Sequence, residues 1–142
     1  MSDINFEFLL FFFSLAIIIF ITLYINRVVL FSDPLLYKIK NDLLLVDPRI
    51  KDISFYASNE SFTEDKKRIY LCLKDNNNNY YPYNMLIYVA LHEIAHVLSP
   101  NIDLNHTTPE FINNFSNLIK KATELKLYDP SLPMVDHYCK SH

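Results

Sequence analysis

Apolar residues fall along this chain in three patterns, each predicting a different kind of element. Residues 8–25, FLLFFFSLAIIIFITLYI, carry no charge and present no polar face. As a helix the run measures about 27 Å, close to the hydrocarbon thickness of about 30 Å. A signal peptide fits poorly, because Asp3 and Glu7 stand where basic residues belong and no small-residue cleavage site follows. A core helix fits no better, since a chain this small cannot surround a helix apolar on every face. Residues 1–31 therefore read as a transmembrane anchor.

The second pattern has helical spacing. Leu35, Leu36, Ile39, Leu43 and Val46 follow Ser32-Asp33-Pro34, a linker that supplies an N-cap and a first-turn proline, and the run stops at Asp47-Pro48. Residues 83–98 are apolar almost all round and end at Ser99-Pro100, which predicts a helix at the centre of a domain. A last helix opens at Thr108-Pro109-Glu110, with Phe111, Ile112, Phe115, Leu118, Ile119, Ala122 and Leu125 along one stripe. The third pattern has strand character and covers residues 53–57 and 68–73. The polar stretch 58–67 reads as the turn between them, giving an antiparallel pair, and 75–79 as a flexible loop. An irregular tail runs over 128–142. The prediction is an α+β protein with a short antiparallel sheet over residues 32–142, attached to the anchor.

Composition narrows the function. The 142 residues include no glycine, where a typical chain carries about 7%. P-loops, Rossmann fingerprints, nucleophile elbows and EF-hands all require glycine, so these classes are excluded. Turns needing positive φ are expected to use Asn or Asp, above all Asn101, Asp103 and Asn105. Such a composition also fits coding bias in an AT-rich genome. Residues 32–142 carry 12 basic and 14 acidic side chains, so no nucleic-acid partner is expected, and Lys66-Lys67-Arg68 reads as a solvated turn. Around the anchor, Asp3 and Glu7 lie on one side and Arg27, Lys38 and Lys40 on the other. That bias places the carboxy-terminal domain in the cytosol or on the cytosolic face of an internal membrane. Two cysteines, Cys72 and Cys139, agree with a reducing compartment, although one bridge between them stays open.

The central helix carries His92-Glu93-Ile94-Ala95-His96. Two histidines four apart share a helix face, about 6 Å apart in rise, so both imidazoles can reach one metal at about 2.1 Å. Glu93, beside that face, can take a proton from zinc-activated water during attack on a carbonyl. Unpaired imidazoles on an apolar helix are costly when buried, which argues against two ordinary core histidines. A third ligand is needed. His106, ten residues after His96, is the first candidate; Glu110, which also suits the dipole of its own helix start, and the more distant Glu124 compete with it. A metzincin is excluded, because Ile102 stands at its third-ligand position and the loop has no glycine. Tyr138, His137 and Tyr128 are candidate oxyanion donors but read more simply as surface-tail residues. Cys72 reads as a buried apolar side chain, and Cys139 as a ligand only if the tail folds back.

His92-Glu93-Ile94-Ala95-His96 followed by His106-Thr107-Thr108-Pro109-Glu110-Phe111 resembles the SprT/WLM-like group of small zinc metallopeptidases. The likeness extends to the short membrane-anchored metallopeptidase-like proteins of large nucleocytoplasmic DNA viruses, where a pair such as Tyr138-Cys139 follows the last helix. It covers residues 69–139. The resemblance implies a zincin-like domain, Zn2+ held by His92, His96 and His106, and Glu93 as catalytic base. The DNA-linked roles of the group are not carried over to a tethered, non-basic domain.

The expectation is thus a single-pass membrane protein of viral or host internal membranes that hydrolyses peptide or protein substrates, with a substrate strand pairing along 68–73. Two other readings stay open. One is a catalytically silent, zinc-stabilised membrane interaction protein, against which the intact Glu93 argues. The other, a metal-free scaffold, requires the motif to be accidental.

Overall fold

The computed structural model describes residues 2–31 and 33–139. The chain divides into two units, Met1–Asp33 and Pro34–His142. Ser32, half of the expected linker and cap, lies outside the described residues, as does the tail beyond Cys139.

The first unit is one helix, α1 (Ser2–Phe31). Its segment Phe6–Tyr24 is long and apolar enough to cross a membrane, and none of it is buried within the protein. Ser14 and Thr22 turn their hydroxyls back onto the helix: Ser14 Oγ donates to the Phe11 carbonyl (2.9 Å) and Thr22 Oγ1 to that of Ile18 (2.8 Å). The polar hydrogens are thereby satisfied without water, as a hydrocarbon environment requires.

In the second unit α2 (Pro34–Leu44) buries Leu36, Ile39 and Leu43, the i, i+3 and i+7 positions of its stripe. Val46, expected within this helix, is buried in the turn after it. A 3₁₀ turn follows over Pro48–Asp52, capped by the Asp47 carboxylate on the Arg49 amide. Three strands come next: β1 (Ser54–Ala57), β2 (Phe62–Glu64) and β3 (Arg68–Leu71). Helix α3 (Tyr83–Leu98) packs against α2, β2, β3 and α4 (Pro109–Glu124), so it lies at the centre, as its all-round apolar sequence predicts. On α4, Phe111, Leu118 and Ala122 are buried, whereas Ile112, expected in the stripe, is half exposed. Thr108 caps this helix and Pro109 occupies its first turn, as read from the sequence.

The sheet departs from expectation. Its order is β1-β3-β2, with β1 parallel to β3 and β2 antiparallel to it. The stretch 58–67 is therefore not a simple turn, and 53–57 and 68–73 do not form an antiparallel pair. The cause is a two-residue turn at Asp65-Lys66, both at φ 52, closed by the Lys67 amide on the Glu64 carbonyl (3.1 Å). This hairpin commits β3 to run against β2, and β1 takes the remaining edge of β3 in parallel. β3 is central because its Ile69 and Leu71 are fully buried. Tyr56, Tyr70 and Phe62 stack across the three strands at 5.2 and 4.5 Å, in register. The expected loop at 75–79 is a closed turn in which Asp75 Oδ1 accepts from the amides of Asn77 and Asn79, both at 2.9 Å.

Candidate metal centre

Helix α3 projects His92 and His96 from one face, and the loop after it returns His106 to the same point. The three Nε2 atoms form a triangle with sides of 3.2, 3.3 and 3.0 Å. Each such nitrogen carries either a proton or a lone pair. Among three atoms and two roles, at least one pair must be alike, so hydrogen bonding cannot satisfy all three contacts. A cation taking all three lone pairs removes that conflict. Tetrahedral ligands about 2.0–2.1 Å from a zinc ion stand about 3.3 Å apart, which these separations fit. Burial, followed by the neighbouring histidines, pushes His92 down to about 4. Burial and His106 also lower His96. Both rings are therefore neutral at pH 7, the form a ligand needs.

Phe111 forms the floor of this cluster. Its ring centroid lies 5.2, 4.5 and 5.1 Å from those of His92, His96 and His106, and the side chain is 3% exposed. The third imidazole is aimed by the backbone, since His106 itself adopts φ 55. The sequence reading assigned the left-handed positions to Asn101, Asp103 and Asn105, and the structure corrects it. Asp103 instead turns its carboxylate inward, accepting from the amide and hydroxyl of Thr108 (2.7 and 2.8 Å) and from the Asn105 amide (3.2 Å). Those bonds, led by the Thr108 amide, hold Asp103 below the usual carboxylate range. Lys66 Nζ closes the other side of the loop, donating to the carbonyls of His96 (3.0 Å), Asn101 (3.1 Å) and Ser99. Lys66 lies in a turn, as expected, but its ammonium is engaged at the carboxyl end of α3, where a cation suits the helix dipole.

Glu93 is 7% exposed, and burial raises its pKa against the opposing hydrogen bond from Thr63. Thr63 Oγ1 lies 2.8 Å from Glu93 Oε2 and 3.1 Å from the Glu93 carbonyl oxygen. Thr63, Asp103, Lys66 and Phe111 escaped the sequence reading as site residues. Three of them were read there in other roles, Phe111 as a stripe position directly after Glu110, Asp103 as a left-handed turn residue and Lys66 as part of a solvated turn, whereas Thr63 left no trace.

The other candidates separate clearly. Glu110 and Glu124 are exposed and lie outside the cluster that His92, His96 and His106 make among the described residues. Tyr128 is buried against Tyr88, so it is no surface-tail residue. Tyr138 is half buried; its hydroxyl donates to the Cys72 carbonyl (2.6 Å) and pairs with Ser61 Oγ (2.8 Å), and burial pushes its pKa up to about 12. His137 is exposed. Cys72 is not a free apolar side chain and Cys139 is not a ligand: they form a disulfide across 67 residues.

The second unit thus places a histidine triad and an adjacent buried glutamate on the central helix of an α+β fold. Comparison with known proteins finds similar sequences in viruses. The chain is 46% identical over 93 residues to uncharacterized protein 136R of Invertebrate iridescent virus 6, covering 63% of this chain and 51% of that protein. It is 39% identical over 93 residues to uncharacterized protein 042R of Invertebrate iridescent virus 3, covering 62% and 54%. It is 38% identical over 87 residues to an uncharacterized protein of Acanthamoeba polyphaga mimivirus, covering 56% and 43%. The chain spans about half the length of the curated relatives it matches. No protein-family model matches it, and no solved structure does.

Proposed function

We propose that this protein is a membrane-anchored, zinc-dependent metallopeptidase of the H-E-x-x-H kind. The observation that carries the reading is the meeting of three imidazole Nε2 atoms within 3.0–3.3 Å, on the helix that also supplies a buried glutamate. A zinc ion held there supplies Lewis acidity towards a peptide carbonyl and towards water. His92 and His96 bind from a rigid helix and His106 from a loop braced by Asp103 and Lys66. Glu93 is the general base, and burial, by raising its pKa, makes its carboxylate a stronger proton acceptor. Thr63 fixes the direction of that carboxylate. An extended peptide can add to a sheet edge through backbone hydrogen bonds. Strand β3, expected in that role, is central and paired on both sides, so we assign the role to edge strand β2, which carries Thr63.

We further infer that α1 is the single-pass anchor, in a viral or host internal membrane. The charge bias across it assigns the second unit to the cytosolic face.

The test uses the full chain in detergent. Zinc is counted in wild type, His106→Ala, Glu110→Ala and Glu93→Gln, and cleavage of a peptide library is assayed in each. The reading expects one zinc in wild type, its loss in His106→Ala, and zinc with no cleavage in Glu93→Gln. Wild type without zinc overturns it. Zinc without any Glu93-dependent cleavage turns the protein into a zinc-stabilised membrane interaction module.

A further inference from the structure

We propose that the Cys72–Cys139 disulfide is a redox latch on the same site, holding edge strand β2, and through Thr63 the Glu93 carboxylate, in its working position. This rests on the reading of Glu93 as the base. The latch is a connected path. Cys139 is tied to Cys72, immediately after β3, and its amide donates to the Tyr81 hydroxyl (3.1 Å). The bond seats Tyr138 against the Tyr81 ring, with centroids 4.8 Å apart. The Tyr138 hydroxyl reaches both the Cys72 carbonyl and Ser61 Oγ, and Ser61 Oγ accepts from the Cys72 amide (2.9 Å). Ser61 directly precedes β2, whose second residue, Thr63, holds Glu93. β2 is three residues long and paired on one side only, so it depends on this anchoring at its start.

Two further features suit a bond that opens and closes. Cys139 is half buried while Cys72 is 4% exposed, so a thiolate can approach the Cys139 side. His137 and Cys139 both hold positive φ, 60 and 41, which residues other than glycine adopt only where neighbouring contacts impose it. The latch also reconciles two facts that point apart: a charge bias for the reducing face of the membrane, and a disulfide, which persists in oxidising surroundings. Opening is thiol–disulfide exchange with a dithiol. One of its thiolates attacks Cys139 Sγ and displaces the Cys72 thiolate; its second then displaces Cys139. Two electrons and two protons pass to the cysteines, and the dithiol leaves as a disulfide. In the reduced protein the tail is free, Ser61 loses Tyr138, and Glu93 loses a fixed Thr63.

The test compares the full chain in detergent, oxidised and after dithiothreitol, in wild type, Cys139→Ser and Tyr138→Phe. Maleimide mass shifts confirm the thiol state, hydrogen exchange follows 61–64 and the interior of α3, and cleavage of the peptide library and zinc content are recorded together. Reduction is expected to speed exchange at 61–64 about tenfold or more through local opening, with the interior of α3 remaining the more protected of the two segments. Cleavage is expected to fall about tenfold at unchanged zinc content. Cys139→Ser should behave as the reduced form and ignore the dithiol. Tyr138→Phe, which keeps the bond, should loosen 61–64 in part. Unchanged exchange at 61–64, protection of the α3 interior falling to the level of 61–64, or faster cleavage after reduction each overturns the latch. If the oxidised, zinc-loaded protein cleaves nothing, the peptidase reading fails, and the exchange measurement still decides whether the bond governs β2.

Discussion

Replacing His106 with asparagine distinguishes the two ways in which the histidine triad can be held together. In a metal-free protein the three Nε2 atoms, 3.0–3.3 Å apart, include at least one pair in which both carry protons or both carry lone pairs. Removing one imidazole relieves that contact, and asparagine accepts the φ of 55 at this position better than most residues. In chelator, His106→Asn should therefore melt at or above wild type. With zinc the order reverses. Free zinc at about a hundred times its dissociation constant stabilises the folded state by about 2.7 kcal/mol. For a domain of roughly 100 residues that raises the melting temperature by roughly 10–20 °C. The variant, left with the two α3 ligands, should lose most of this rise. The assay is thermal unfolding of the full chain in detergent, followed by near-ultraviolet circular dichroism, with and without zinc. If His106→Asn melts well below wild type in chelator and zinc moves neither protein, the triad is an ordinary packed cluster and the reasoning is wrong.

Thr63→Val keeps the shape of the side chain but removes the donor to Glu93 Oε2. It should lower kcat about tenfold or more while leaving KM and zinc content near wild type, with Thr63→Ser restoring most of the rate. Joint replacement of Cys72 and Cys139 by serine opens a link spanning 67 residues, and urea unfolding should show a loss of about 4 kcal/mol. Tyr83 is pushed up from 10.0 to about 12, by burial first and then by its hydrogen bond to Asp42. The fold thus favours the neutral phenol, and that contribution is complete below about pH 10 and disappears as the pH rises through 12. The urea midpoint should fall across that window, and Tyr83→Phe should flatten the fall.

Both long helices of the second unit could be read from the sequence, because their apolar spacing and their terminal signals, Ser99-Pro100 and Thr108-Pro109, agree with their packing. His92, Glu93 and His96 followed from spacing on one helix, and His106 from its place in the loop. Strand β2 could not be read, since its inward residue is Thr63 rather than an apolar one. That polar position breaks the alternation a strand normally shows, and the contact with Glu93 accounts for it. With β2 hidden, the parallel pairing of β1 with β3 was hidden too. Nor could two cysteines reveal their bond, because a pairing depends on a tail whose path no local pattern specifies.

Seven described residues hold positive φ without a glycine among them: Asp65, Lys66, Asn78, His106, Lys126, His137 and Cys139. At about 1–2 kcal/mol for each left-handed residue, the native state bears a considerable conformational load. The same lack of glycine acts on the other side of the equilibrium. Each glycine replaced by a residue with a side chain narrows the denatured ensemble and is worth roughly 0.4–1 kcal/mol, and at the usual frequency this chain lacks roughly ten. The two contributions are of the same order and opposite in sign. A protein without glycine thus tolerates awkward turns because its unfolded chain has less freedom to regain.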